Sequence, residues 1–316
     1  MDLNKAILYG QLVNAAYDVP PSDLGNRAGQ HVNAGLGANK TTFEVIASIF
    51  ANDLATDRRP AGTTVTVSIG LLLWQAGTGE AVIAIRGTEG IHEWLVDVNF
   101  FTTACPFLAG AGETEDGFTD MYQSFAIGGT SGPSVTASLA TIFGSKQVNS
   151  LTVCGHSLGG ALATLQALDV AANSRFKNPT VYTYASPRTG NPQFASTYNG
   201  MVPNTMRIAN RADLVPLLPL PPAYEHVLGL NKLSPFTIFP PKALVEPNPI
   251  CEHVLPSYLH LLSLLAGGEV IELREGCDPP TSGGKFWQNV GMEFRNKEDL
   301  KRDFRSDKGT PLGGNS

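Results

Sequence analysis

A serine framed by glycines, Gly155-His156-Ser157-Leu158-Gly159, stands where an apolar run turns into an alanine- and leucine-rich one, VCGHSLGGALAT. Gly-x-Ser-x-Gly between a strand and a helix is the pattern of a nucleophile exposed on a very tight turn. The reason is steric. Side chains two residues from such a serine would collide, and glycine removes the collision where the backbone is strained. A helix starting there aims its first N–H groups at the charge that develops when a hydroxyl attacks a carbonyl. The chemistry implied is nucleophilic acyl transfer. The competing reading is a glycine-rich turn with an incidental serine.

A serine hydroxyl is a weak nucleophile and needs a base, itself oriented by an acid. His156 is adjacent in sequence, but neighbouring side chains at a strand end point apart, which makes it a poor base. On a strand–turn–helix of this kind the partners follow the nucleophile in the order Ser, Asp, His. His31 and His92 precede Ser157, which leaves His226, His253 and His260.

The elements that must hold these groups alternate. Apolar residues near helical spacing predict a first helix within Met1–Pro20, followed by a Gly/Asn-rich loop over Ser22–Asn39 and the apolar segment Phe43–Phe50. Thr63–Gln75 and Glu80–Thr88 read as strands joined by the turn Ala76–Gly79. Phe118–Phe143 is broadly helical but broken by glycines. Ser150–Cys154 reads as a buried strand and Leu158–Asn173 as a helix. Thr180–Pro187 and Thr205–Asn210 are two more strands, and His253–Leu265 is a late helix. Strands alternating with helices predict a mostly parallel central sheet flanked by helices in a single domain spanning 1–316.

Composition bounds the function. The 316 residues are 42% hydrophobic and 16% charged with a formal net charge of −6, which gives no support to nucleic-acid binding. No apolar stretch reaches membrane-spanning length. The four cysteines show no zinc spacing. Cys154 reads as a small buried hydrophobe, and a Cys251–Cys277 bridge stays open. Met1–Pro20 lacks a basic n-region and a cleavage site. A secreted protein whose leader lies outside this sequence is favoured over a cytoplasmic one.

Four blocks occur in a telling order: AIRGTEGIHEWLVDV (Ala84–Val98), GHSLGGALA (Gly155–Ala163), YASPRTGN (Tyr184–Asn191) and RIANRADLVPLLP (Arg207–Pro219). Together they resemble the class 3 lipases, the fungal-lipase-like branch of the α/β-hydrolases, over roughly Thr63 to Ala266. The resemblance implies an α/β-hydrolase fold with a lid segment and no cofactor or metal. It implies a triacylglycerol lipase acting on lipid esters at an oil–water interface. Feruloyl esterases and phospholipases A1 share the motifs, and a non-catalytic lipid-binding protein of the same fold is the alternative from another class.

The family places its acid in an Asn-x-x-Asp-x-Val-Pro-x-x-Pro block, which matches Asn210–Pro219 and makes Asp213 the acid. Asp169, down the helix from Ser157, and Asp97, in the long segment after Thr88, are weaker choices. The family's His, four residues, then Tyr-Leu matches His253 with Tyr258-Leu259. His226 resembles a structural histidine and is the rival base. Thr88, in Arg86-Gly87-Thr88, and the N–H of Leu158 match the family's oxyanion hole. Ile91–Val96, with Phe100, Phe101, Phe107 and Leu108, falls where the family carries its lid, about 89–112. The alternative is that these side chains pack on the core. The tail from about 283 to 316 reads as a polar appendage. Glu115-Asp116-Gly117-Phe118 departs from the family's His-x-Gly-Phe and puts the positioning of the lid in question.

Overall fold

The computed structural model describes residues 1–53, 65–88, 100–128, 133–237 and 242–279. A mixed sheet lies at its centre, in the order β1 (His31–Ala34), β2 (Thr41–Asp53), β3 (Val65–Gln75), β4 (Glu80–Ile85), β8 (Ser150–His156), β9 (Thr180–Tyr184), β10 (Thr205–Asn210), β11 (Leu230–Leu233). Between β4 and β8 in the chain come the hairpin β5 (Thr102–Ala104) and β6 (Glu113–Glu115), and the short β7 (Ala126–Ile127), which pairs with β2. The parallel arrangement expected from the sequence runs from β4 through β11. The strands β1 to β3 pair antiparallel, and β3 pairs antiparallel with β4 across the short turn Ala76–Gly79.

Each face of the sheet is covered by helices. Helices α1 (Leu3–Tyr17) and α7 (Leu255–Ala266) bury Leu12, Val13, Leu259 and Leu262 on one face with Leu73, Val82 and Ile208. They approach closely at Gly10, where a Cβ would stand 2.5 Å from Leu259 Cδ2. The other face holds α2 (Asp116–Gln123), α3 (Val135–Ser138), α4 (Leu158–Asn173) and α5 (Pro192–Met201). Helix α4, rich in alanine and leucine, is buried along nearly its whole length, Thr164, Gln166 and Asp169 included.

Three expectations change. The Ser22–Asn39 loop contains β1, paired with β2. The helical reading of Phe118–Phe143 resolves into α2 and the single turn α3, separated by β7 and by Gly128 at φ +81°. The late helix is two: α6 (Pro249–His253) ends at Val254, which is extended at φ −60°, ψ 142°, before α7. Pro256 is the cause, since it has no N–H and its ring excludes the carbonyl four residues earlier. His253 therefore ends a short helix instead of opening a long one.

Of the expected lid, residues 89–99, with Ile91–Val96 and Asp97, lie outside the described residues, as does the expected tail from 283. Within 100–112, Phe107 and Leu108 pack against the core, and Phe107 meets Tyr122 edge-on at 5.3 Å. That end of the range is part of the hairpin fold, while Phe101 is exposed.

Candidate active site

Ser157 links β8 directly to α4 with φ 57° and ψ −127°, a left-handed conformation that costs a non-glycine residue about 1–2 kcal/mol. The flanking glycines have a visible cause. A Cβ on Gly155 would stand 2.0 Å from the Gly159 carbonyl oxygen, and one on Gly159 would stand 2.4 Å from that of Arg86. Ser157 N–H donates to the Tyr184 carbonyl at 2.9 Å, tying the turn to β9.

The loop after β10 and the last residue of α6 bring two further groups to the serine. His253 Nε2 lies 2.9 Å from Ser157 Oγ, and His253 Nδ1 lies 2.9 Å from Asp213 Oδ2. All three residues are buried. A carboxylate only accepts, so Nδ1 carries the proton and Nε2 offers its lone pair to the serine hydroxyl. Asp213 is itself held. Its Oδ1 accepts the Val215 N–H at 2.9 Å, and its Oδ2 accepts the Tyr258 hydroxyl at 2.7 Å. Burial and the Asp213 charge keep the Tyr258 hydroxyl protonated, well above the usual phenol range. Tyr258 Oη in turn accepts the Asn210 N–H at 2.9 Å, and Asn210 Nδ2 donates to the Glu252 carbonyl at 2.8 Å.

Tyr258 and Asn210 carry no role that the sequence alone assigns; their contacts tie β10, α6 and α7 together around the acid. The Glu252 carboxyl, raised to about 7 by burial and then by Asp213, is a second acidic group nearby.

Thr88 follows Gly87, where a Cβ would stand 2.8 Å from the His156 carbonyl and 3.0 Å from Ser157 Cβ. The missing side chain lets the end of β4 lie against the turn. Leu158, buried, is the first residue of α4, whose first N–H groups lack intrahelical acceptors. The two expected oxyanion donors therefore flank Ser157 along the chain and across the sheet.

The remaining candidates lie elsewhere. His226 Nε2 donates to the Pro216 carbonyl at 2.6 Å, and burial pushes its pKa down to about 3, with Arg207 adding to the shift. His260 Nδ1 donates to the Ile271 carbonyl at 2.7 Å. Asp169 is buried and accepts from Tyr122, Thr136 and Asn173, a structural cluster that joins α4 to α2 and α3. His156 points away from Ser157, as its strand-end position predicts, but it does more than separate two residues: its Nε2 reaches the His253 main-chain oxygen at 2.8 Å. Cys251 and Cys277 form a disulfide that ties α6 to the segment after α7, and Cys154 is free and buried.

Beside the acid runs an uncharged stretch, Leu214–Ala223, with Leu214, Leu217 and Leu220 more than half exposed. Arg188 holds it from behind: its N–H donates to the Leu218 carbonyl at 2.7 Å, and Nη1 donates to those of Leu217 and Pro219. Exposed Phe101 joins this rim through its carbonyl, which accepts the Tyr224 hydroxyl at 2.9 Å.

A strand–serine–helix turn at the parallel half of a mixed sheet, with the acid on a later loop and the histidine at the end of a later short helix, defines an α/β-hydrolase fold. The chain is similar to the class 3 lipases: its residues 82–222 match the family described as Lipase (class 3). It is 30% identical to Phospholipase A1-II 6 of Oryza sativa subsp. japonica over 219 residues, 61% of this chain and 53% of that protein. It is 27% identical to Secreted mono- and diacylglycerol lipase 1 of Fusarium solani over 234 residues, 74% of this chain and 62% of that protein. The chain thus spans between half and two thirds of the length of these relatives. In structure it is similar to Lip2 lipase from Yarrowia lipolytica, with a TM-score of 0.51 and 21% identity over 73% of this chain and 78% of that one.

Proposed function

We propose that the chain is a serine carboxylic-ester hydrolase that cleaves acylglycerol esters. The observation that carries this reading is the buried relay Asp213–His253–Ser157, with 2.9 Å at each step, ending on a serine in a strained backbone conformation. Ser157 Oγ attacks the ester carbonyl carbon as His253 Nε2 takes its proton. Asp213 steadies the imidazolium without itself taking the proton. The Leu158 N–H, with the N–H and hydroxyl of Thr88, receives the charge on the carbonyl oxygen. Losing one such donor typically costs about 3–4 kcal/mol in the transition state. His253 then protonates the departing alcohol, leaving an acyl-serine. A water deprotonated by His253 attacks it, and collapse returns the proton to Ser157 and frees the fatty acid.

The rim of Leu214, Leu217, Leu220 and Phe101 supports a substrate presented at a lipid–water interface, since exposed leucines beside a reaction site favour contact with an apolar phase. A phospholipase A1 is the second reading, favoured by the similarity to the rice protein of that name. The Fusarium relative, named as secreted, together with the Cys251–Cys277 disulfide, supports a secreted protein. Hydrolysis of emulsified trioleoylglycerol beside phosphatidylcholine vesicles tests the substrate. Activity on triolein exceeding that on the phospholipid is expected, and the reverse ranking would transfer the reading to phospholipase A1.

A further inference from the structure

Helix α1 reaches the site through one side chain at its C-terminal end. Tyr17 Oη accepts the Gly87 N–H at 2.8 Å and lies 2.8 Å from His156 Nδ1. On the other edge of that imidazole, Nε2 lies 2.8 Å from the main-chain oxygen of His253. The directions follow from chemistry alone. A carbonyl oxygen only accepts, so the His156 proton sits on Nε2, Nδ1 is the acceptor, and the Tyr17 hydroxyl must donate to it. The Arg86 guanidinium stands 4.9 Å over the Tyr17 ring.

We propose that Tyr17 and His156 are positioning residues for the hydrolytic reaction, a strut that fixes the end of β4, which leads into Thr88, against the main chain of His253. This rests on the hydrolase reading above. The need for such a strut is visible in the fold. His253 ends a helix of five residues and is followed by the break at Val254, so no continuous helix holds its backbone. The oxyanion strand and the base come from distant parts of the chain, and a misplacement on the order of 1 Å between such groups is enough to cost about a hundredfold in rate.

The strut needs a rigid, neutral group that donates at one end and accepts at the other. A buried neutral imidazole meets that need. Burial, and then the neighbouring His253, hold the His156 pKa well below its usual value.

Tyr17→Phe removes the hydroxyl and keeps the ring, its volume and its contact with Arg86. Hydrolysis of soluble p-nitrophenyl butyrate by this variant should show kcat reduced about 10-fold or more with KM within about twofold. His156→Gln keeps an N–H at the place of Nε2 and should retain several-fold more kcat than His156→Ala. In ¹⁵N-histidine NMR spectra, His156 should stay neutral with its proton on Nε2 from about pH 6 to 9, and its Nδ1 resonance should move towards that of an unbonded imine in Tyr17→Phe.

A Tyr17→Phe protein with kcat within about twofold of wild type overturns the strut. Should that variant not fold, His156→Gln no more active than His156→Ala overturns it equally. Fluorophosphonate labelling of the unaltered chain separates the two levels. Labelled wild type with unaffected variants rejects the strut alone, whereas unlabelled wild type rejects the hydrolase reading and the strut with it.

Discussion

Tyr258 Oη donates at 2.7 Å to Asp213 Oδ2, the same oxygen that accepts His253 Nδ1 at 2.9 Å. The acid is thus fixed by a residue on the helix that immediately follows the base. Tyr258→Phe removes a hydrogen bond to a buried charge, a loss of about 1.5–3 kcal/mol. It should lower kcat on p-nitrophenyl butyrate about 10-fold or more, with a Tm decrease of a few degrees. An unchanged kcat would show that Asp213 needs no help in orienting the histidine.

The strain at Ser157 is a stability cost attached to the site. Ser157→Gly and Ser157→Ala both remove the nucleophile, but only glycine relieves the left-handed backbone. Scanning calorimetry should find the glycine variant more stable than the alanine variant by about 1 kcal/mol. Equal melting temperatures would contradict a strained turn.

Glu115 caps α2 and is 3% exposed. Burial raises its carboxyl from 4.5 to about 7, against the lowering pull of the Phe118 and Gly117 N–H groups. The folded protein keeps this proton across a window in which the unfolded chain releases it. Stability therefore falls as pH rises from about 4.5 to 7 and levels off above. Glu115→Gln keeps an oxygen acceptor for the Phe118 N–H and loses the titration. Its Tm should gain on wild type across that window; parallel Tm curves would remove Glu115 from the pH dependence.

The Cys251–Cys277 disulfide closes a loop with a sequence separation of 26, for which the chain-entropy model gives about 3–4 kcal/mol. Its loop contains His253. Reduction, or Cys277→Ser, should lower Tm by several degrees and reduce kcat with it, as measured by calorimetry and ester hydrolysis with and without dithiothreitol. Unchanged stability on reduction would contradict a structural role.

Much of this arrangement was legible in the sequence because its causes are local. Gly155 and Gly159 announce the turn since any Cβ there meets backbone, and the Leu158–Asn173 helix is continuous and apolar. The spacing from Asp213 to His253 was readable only through the family resemblance, because nothing local says which loops converge. What escaped depends on contacts between distant segments. Helix α6 separates from α7 at Val254 because of Pro256, and β1 hides in a glycine-rich stretch because pairing with β2 overrides its composition. The Tyr17–His156–His253 connection joins three segments far apart in sequence, and no spacing rule reports it.

Ser157, activated by His253, is the nucleophile of the proposed reaction. Incubating the full chain with a fluorophosphonate and mapping the adduct by peptide mass spectrometry tests this role directly. One label per chain is expected, on Ser157, abolished by Ser157→Ala and slowed about 100-fold or more by His253→Ala. A folded chain that takes no label, or takes it on another residue, would contradict that role.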